Sequence, residues 1–233
     1  MPPQHLKNVV LSRDEVRNCD RVALENFEIK GLVLMENAGA AAARLILSEL
    51  APDRTARICI IAGTGNNGGD GFVVARHLAN AGVAADVVIC GDRERIKGDA
   101  WCNLMIIEHM GLPITHVKSE APKNIADLIK QHAASAKLLV DAMLGTGAAG
   151  PPREPFRTAI ETINALDKPV IALDIPSGLD CDTGKPLEVA IRAKQTVTFA
   201  AMKKGFLEPT ATEYTGKITV ASIGIDTRLL LQK

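Results

Sequence analysis

No C-x-x-C pair occurs in this chain, and its cysteines (Cys19, Cys59, Cys90, Cys102 and Cys181) are scattered and odd in number. A disulfide framework or a zinc site is thereby disfavoured, and reduced thiols in a cytosol are the better reading. An excess of one charge is also missing. Lys plus Arg and Asp plus Glu each number 27, which argues against a large surface for nucleic acid or anionic membrane. No uncharged apolar run is long enough to span a bilayer; the apolar segment near Ala38–Leu50 is interrupted by Arg44 and Glu49. The N-terminus, Met-Pro-Pro-Gln-His-Leu-Lys-Asn, lacks the apolar core of a signal peptide. The five histidines show no metal-ligand spacing, and the nucleophile-elbow pattern G-x-S-x-G is absent, so a serine hydrolase using Ser177 is not expected. There is no internal repeat, low-complexity segment or linker. The expectation is one domain over 1–233, cytoplasmic, with no nucleic-acid or membrane partner.

What is present is an alternation. Ser12-Arg-Asp-Glu15 reads as a capping box opening a helix to about Asn26. An Ala- and Leu-rich helical pattern covers Leu32–Leu50, with Pro52 as its stop. Strand-like runs then lie near 57–62, 85–90, 114–117, 137–143, 169–174, 194–200 and 217–223. Helix-like runs near 70–81, 97–110, 123–133 and 155–165 fill the first four gaps, and Gly82 and Gly111 sit where left-handed caps are favoured. The gaps 175–193 and 201–216 read as loops. Continuously apolar strands such as Ile58–Ile61 and Val170–Leu173 suit a parallel sheet covered on both faces. The predicted fold is α/β, a Rossmann-like three-layer αβα sandwich with a mainly parallel sheet and N-terminal helices.

In such sheets ligands bind beyond the carboxyl ends of the strands, near the point where strand order reverses. Three polar features occupy that level. The first is the turn Gly63-Thr-Gly-Asn-Asn-Gly-Gly-Asp-Gly71, between a strand and a helix, where free backbone N–H groups meet a positive helix end. The second is Asp141, in Val140-Asp-Ala-Met-Leu-Gly-Thr-Gly147, and the third is Asp174, in Leu173-Asp-Ile-Pro-Ser-Gly178. With strand order 3-2-1-4-5 these three ends are neighbours. Each also has a plain structural reading: glycines for a tight turn, Asp70 at a helix N-terminus, Asp141 and Asp174 bonding loop amides. Lys203-Lys204 reads as a solvated pair rather than a phosphate contact, and Trp101 reads as core.

Together these residues resemble the NAD(P)H-hydrate epimerase family, also called the YjeF N-terminal domain. The resemblance is carried by Leu34-Met-Glu-Asn-Ala-Gly39, Asn66-Asn-Gly-Gly-Asp-Gly71 with Ala75-Arg-His-Leu78, Val140-Asp141 with Gly145, Asp174-Ile-Pro-Ser-Gly178, Asp182-Thr-Gly184 and Thr198–Gly205. It implies a Rossmann-like fold and epimerisation of the R and S forms of hydrated NADH or NADPH, with the S form passing to a separate dehydratase. It further implies that Asn66, Asn67, Gly68, Gly69 and Asp70, together with Gly145, Thr146, Gly147, Ala148, Ala149, Gly150 and Pro151, contact the nucleotide. Asp174 would lie close to the altered ring as the catalytic group. Asn67, Asp141 and Ser177 would hold one potassium ion per subunit. Oxygen donors of this kind suit a hard cation better than a thiophilic metal; that it is potassium comes from the resemblance. The resemblance and the apolar N-terminal helices point to a homodimer. Two other readings stay open on the residues alone: an NAD-linked dehydrogenase, with Asp92 as a late ribose ligand, and a non-catalytic binding module.

Overall fold

The structure is a computed structural model and describes residues 9–51, 55–117 and 121–231; Pro52 lies outside these. In chain order the elements are β1 (Val10–Leu11), α1 (Arg13–Phe27), α2 (Gly31–Leu50), β2 (Arg57–Ala62), α3 (Asn66–Asn80), β3 (Ala84–Cys90), α4 (Gly98–His109), β4 (Ile114–Val117), α5 (Pro122–Ala133), β5 (Ala136–Ala142), α6 (Phe156–Ala165), β6 (Val170–Leu173), β7 (Gln195–Phe199), β8 (Met202–Lys203), α7 (Thr212–Thr215), β9 (Lys217–Ala221) and α8 (Thr227–Leu230). Seven strands form one sheet in the order β4-β3-β2-β5-β6-β7-β9, and every pairing in it is parallel. The expected three-layer α/β sandwich is therefore present, with strand order reversing between β2 and β5.

The strand sequences explain why both faces are covered. Side chains alternate across a strand. On β2, Ile58, Ile60 and Ala62 pack with apolar residues of α2, α3 and α4, while Cys59 and Ile61 pack with those of α5 and α6. On β5, Leu138 and Val140 join the first layer and Leu139 the second. A strand buried on both sides has no room for a polar face, hence the continuous apolar runs.

The capping box forms as read: Ser12 Oγ accepts from Glu15 N, and the Glu15 carboxylate accepts from Ser12 N at 2.8 Å. Gly82 and Gly111 adopt φ of 77° and 71°. At 20 residues, α2 is long and apolar enough to cross a membrane by length and composition alone. Its Leu34, Ala38, Ala42, Ala43 and Ile46 nonetheless pack in the core of this fold.

One expectation changes. The segment 201–216 is not a plain loop; it holds β8, two short 3-10 turns and α7. The N-terminus is also stitched to this region. β1 pairs in parallel with β8, the Arg13 guanidinium meets Asp180 at 2.6 Å, and Arg13 N donates to Asp182 Oδ1 at 2.9 Å. These ties seat α1 over the carboxyl ends of the strands.

Candidate active site

The glycine turn is held against the neighbouring strand exit. Gly63 N donates to Ala142 O at 2.9 Å. A Cβ on Gly63 would lie 2.0 Å from Met143 O, so only glycine allows this approach. The turn is shorter than the sequence suggests. Gly65 is the N-cap and α3 begins at Asn66, so Asn66, Asn67, Gly68, Gly69 and Asp70 form the opening turns of the helix rather than a loop before it. Two glycines in this stretch oppose helix formation by propensity. Packing overrides them: Gly68 rests on the Gly63 carbonyl, and Gly69 leaves space filled by Met35 and Ala100.

Asn67 is 6% exposed, and neither its Oδ1 nor its Nδ2 has a hydrogen-bond partner among the described residues. Leaving a buried polar group unpaired costs on the order of 1–3 kcal/mol. A buried primary amide carrying that cost is poised for a ligand.

Asp141 continues the Leu139 face of β5 and is fully buried. It accepts hydrogen bonds from Ser177 N at 2.8 Å, Ser177 Oγ at 2.6 Å and Met143 N at 3.2 Å. Ser177 Oγ in turn accepts from Leu144 N at 2.8 Å. One carboxyl thus organises the loops leaving β5 and β6. Burial pushes it up to about 6, against the pull of those three donors.

Asp174 follows β6 in a left-handed conformation, φ 62°, which Asp tolerates better than most residues. Its backbone N donates to Val197 O at 2.8 Å. Its Oδ2 accepts from Thr146 N at 3.1 Å. Its Oδ1 lies 2.8 Å from Lys203 Nζ. The loop after β5 approaches closely at its glycine: a Cβ on Gly145 would sit a tight 3.2 Å from Asn67 Cβ and 3.3 Å from Asp174 Oδ2. Asn67, Gly145 and Asp174 therefore converge.

Lys203 overturns the sequence reading. It is not a solvated lysine but 0% exposed, and its ammonium also donates to Phe199 O at 2.9 Å; Lys204 is the exposed member of the pair. No local pattern around residue 203 announces this. The signal is the need of Asp174, itself buried, for an opposite charge.

These groups line a cavity of about 810 Å³. Of the residues singled out from the sequence, Asn66, Asn67, Asp70, Gly145, Thr146, Gly147, Ala148 and Asp174 face it. Gly68, Gly69, Asp141 and Ser177 lie buried beneath its wall, and Ala149, Gly150 and Pro151 continue the loop exposed at the surface. Asp20 and Arg17 of α1 also face the cavity; sequence reasoning missed them, because α1 lies far from the sheet in the chain. Four acids, Asp20, Asp70, Asp99 and Asp174, line the space with Lys203 and the arginines Arg17, Arg21 and Arg95. Asp20 is an exposed residue at the cavity rim, where partial desolvation, followed by the negative charge of Asp174, raises its carboxyl to about 6. Desolvation, then Asp174 and Asp20, pushes the Asp70 carboxyl well above the usual carboxylate range. Carboxyls with separated proton affinities in one pocket are equipped to hold and pass protons. Among the described residues there is no cluster of three His, Cys, Asp or Glu that could hold a metal ion. The available donor set is an amide, one carboxylate and a hydroxyl.

Comparisons with known proteins bear on the family and the fold. The family model described as "YjeF-related protein N-terminus" matches residues 31–205. The NAD(P)H-hydrate epimerase of Rhodopirellula baltica is 41% identical over 217 residues, covering 93% of this chain and 85% of that protein. The bifunctional NAD(P)H-hydrate repair enzyme Nnr of Pyrobaculum aerophilum is 45% identical over 199 residues, covering 83% of this chain but 38% of that protein. A crystal structure of a yeast protein superposes with a TM-score of 0.77 at 23% identity, covering 92% of this chain and 88% of that one, a likeness of fold.

Proposed function

This chain belongs to the family of YjeF-related protein N-termini, and on that premise we propose that it is an NAD(P)H-hydrate epimerase. It interconverts the R and S forms of hydrated NADH and NADPH in nicotinamide nucleotide repair. The observation that carries the reading is the placement of Asp174: a carboxylate with both oxygens fixed, facing a cavity large enough for a nucleotide.

The damaged carbon of the substrate bears a hydroxyl beside the ring nitrogen. When that hydroxyl takes a proton and leaves as water, the nitrogen lone pair stabilises the cation, and water returning to the opposite face inverts the centre. Asp174 stabilises the developing positive charge. Lys203 and the Thr146 N–H keep its carboxylate from turning away. Asp70, whose carboxyl is pushed upward by burial and like charge, gives a proton to the departing hydroxyl, and the returning water releases one proton in exchange, which passes to solvent through Asp20 at the cavity rim while Asp70 is reprotonated.

The residues also fit a potassium ion. Among the described residues Asn67 Oδ1 is a buried acceptor without a partner, and Asp141 is a buried carboxylate with no cationic side chain bonded to it. Asn67, Asp141 and Ser177 would hold the ion, which when bound supplies positive charge that ties the glycine turn to two strand ends. The S form would pass to a dehydratase, the activity with which relatives such as the Pyrobaculum enzyme are named as bifunctional. Exposed apolar residues on the first two helices, Leu24, Phe27, Leu32 and Val33, support self-association into a homodimer. All five cysteines are free, which supports a reducing, cytoplasmic setting.

The test is stereochemical. Purified R-form hydrated NADH is incubated with the protein, and the approach to the R/S equilibrium is followed chromatographically. Equilibration well above the spontaneous rate is expected. A rate equal to that background removes the assignment.

A further inference from the structure

A second cavity, of about 700 Å³, opens beyond the carboxyl ends of β3 and β4. It shares Thr64, Arg95 and Phe156 with the first, so the two spaces adjoin along one wall. The glycine that ends β3 stands at this junction. A Cβ on Gly91, whose φ is 109°, would lie 3.0 Å from Thr64 Cγ2 and 3.7 Å from Phe156 Cζ. A side chain there would narrow the passage between the cavities.

The two spaces differ in chemistry. Asp174, Lys203, Asp70 and Asp20 face the first alone. The second is lined by the acids Asp92, Glu94 and Glu154 and the arginines Arg93 and Arg95. Asp92 follows β3, and its Oδ1 accepts from Glu94 N at 2.9 Å, which fixes the carboxylate while leaving its other oxygen available. Arg93 is committed elsewhere: its guanidinium is held by both oxygens of Glu108 at 2.9 Å and lies 4.8 Å from the Trp101 ring centroid. Glu154 is engaged by Thr158 Oγ1 at 2.9 Å. Arg95 differs from these. It is exposed, it faces both cavities, and it makes no side-chain hydrogen bond or ion pair among the described residues. An acidic residue after the second strand of a doubly wound sheet is positioned to accept from ribose hydroxyls, and a nearby arginine accommodates a 2′-phosphate.

We propose that this second cavity is the adenosine subsite of the dinucleotide, with Asp92 taking the ribose hydroxyls and Arg95 a 2′-phosphate when one is present. The inference rests on the epimerase reading for the identity of the whole substrate. It adds where the far half lies and which residue sets the preference between the phosphorylated and unphosphorylated hydrates. With the nicotinamide half at Asp174, the diphosphate crosses the α3 N-terminus near Thr64, and the adenosine continues past Gly91. Asp92 repels a 2′-phosphate and Arg95 attracts it, so the wild-type balance accepts both forms.

Two variants, Arg95→Ala and Asp92→Asn, test this with two readouts. The first readout is equilibrium binding of AMP and of adenosine 2′,5′-bisphosphate by calorimetry, which needs no catalysis. The second is kcat/KM for hydrated NADH and hydrated NADPH. Arg95→Ala is expected to weaken the bisphosphate relative to AMP by roughly tenfold or more, and to lower the NADPH-hydrate to NADH-hydrate ratio of kcat/KM by a similar factor. Asp92→Asn retains a capping oxygen and is expected to move both ratios the other way. Ratios that stay at wild-type values in both variants overturn the subsite, as does Arg95→Ala weakening AMP and bisphosphate equally. Failure of the epimerase reading looks different: the wild type then epimerises neither hydrate, whatever the binding ratios show.

Discussion

Lys203 Nζ lies 2.8 Å from Asp174 Oδ1, and the lysine side chain is wholly buried. With Thr146 N on the other oxygen, the carboxylate is oriented before any substrate arrives. Preorganised charge of this kind needs no rearrangement when positive charge develops on a bound ring.

Asp174→Asn keeps the size and the Thr146 contact but removes the charge. Turnover is expected to fall by roughly a hundredfold or more, while affinity for the nucleotide stays near that of the wild type. Steady-state epimerisation and calorimetric binding on the same preparation check this. Unchanged turnover would remove Asp174 from the chemistry.

Lys203→Met strands the Asp174 carboxylate. Breaking a buried pair by removing one partner costs about 3–5 kcal/mol. Urea unfolding should show a loss of that order. Adding Asp174→Asn to Lys203→Met should recover part of it, because the lone charge is gone. A double variant as unstable as the sum of the two single variants would mean that the pair is not coupled.

Asn67→Ala removes two polar atoms that have no partner among the described residues. In potassium-free buffer, with tetramethylammonium as the replacement cation, it should cost little stability. The wild type should gain roughly 2–3 kcal/mol when potassium reaches a hundred times its Kd, and the variant should not. Thermal unfolding in the two salts makes the comparison, and equal responses would argue against the ion site.

Proton linkage supplies a further check. Asp141 titrates near about 6 in the folded protein, above the ordinary 3.8, so the native state binds its proton more tightly than the unfolded chain does. Its contribution to stability is present below the ordinary carboxyl range and is lost as pH rises through about 6. Asp20 has the same sign, but its side chain is exposed to solvent, so its share of the slope is small. Potassium-free protein should therefore lose stability between about pH 4 and about pH 7 from these groups, and Asp141→Asn should flatten part of that slope. A cation beside Asp141 competes with the proton, so potassium should stabilise more at about pH 7.5 than at about pH 5. Denaturant titrations across pH, with and without potassium, decide it; equal stabilisation at both values would contradict the linkage.

Much of this architecture was legible from residue pattern. Alternating apolar runs and helical stretches predict the large parallel sheet, and the strand order that brings Asn67, Asp141 and Asp174 to one level is the one observed. Local chemistry was legible where it acts locally, as in the Ser12–Glu15 box. The start of α3 was not, because Gly68 and Gly69 have poor helix propensity and only contacts with Gly63, Met35 and Ala100 explain them. Lys203 and Asp20 were not legible either. Each acts on Asp174 across a long stretch of chain, and the burial of a lone lysine depends on a partner that no spacing rule identifies. Arg95 belongs with these: its freedom is visible only once the neighbouring arginine is seen bound to Glu108.

The attachment of the first helix carries a practical consequence. α1 is fastened through β1 to β8 and through Arg13 to Asp180, and it brings Asp20 and Arg17 to the ligand space. A protein trimmed ahead of Gly31 would retain every strand of the seven-stranded sheet. It would give an ordinary far-ultraviolet spectrum and still lack one side of its reaction chamber. Good folding would then be a poor guide to competence, and a shortened preparation that turns out inert would say nothing about the enzyme.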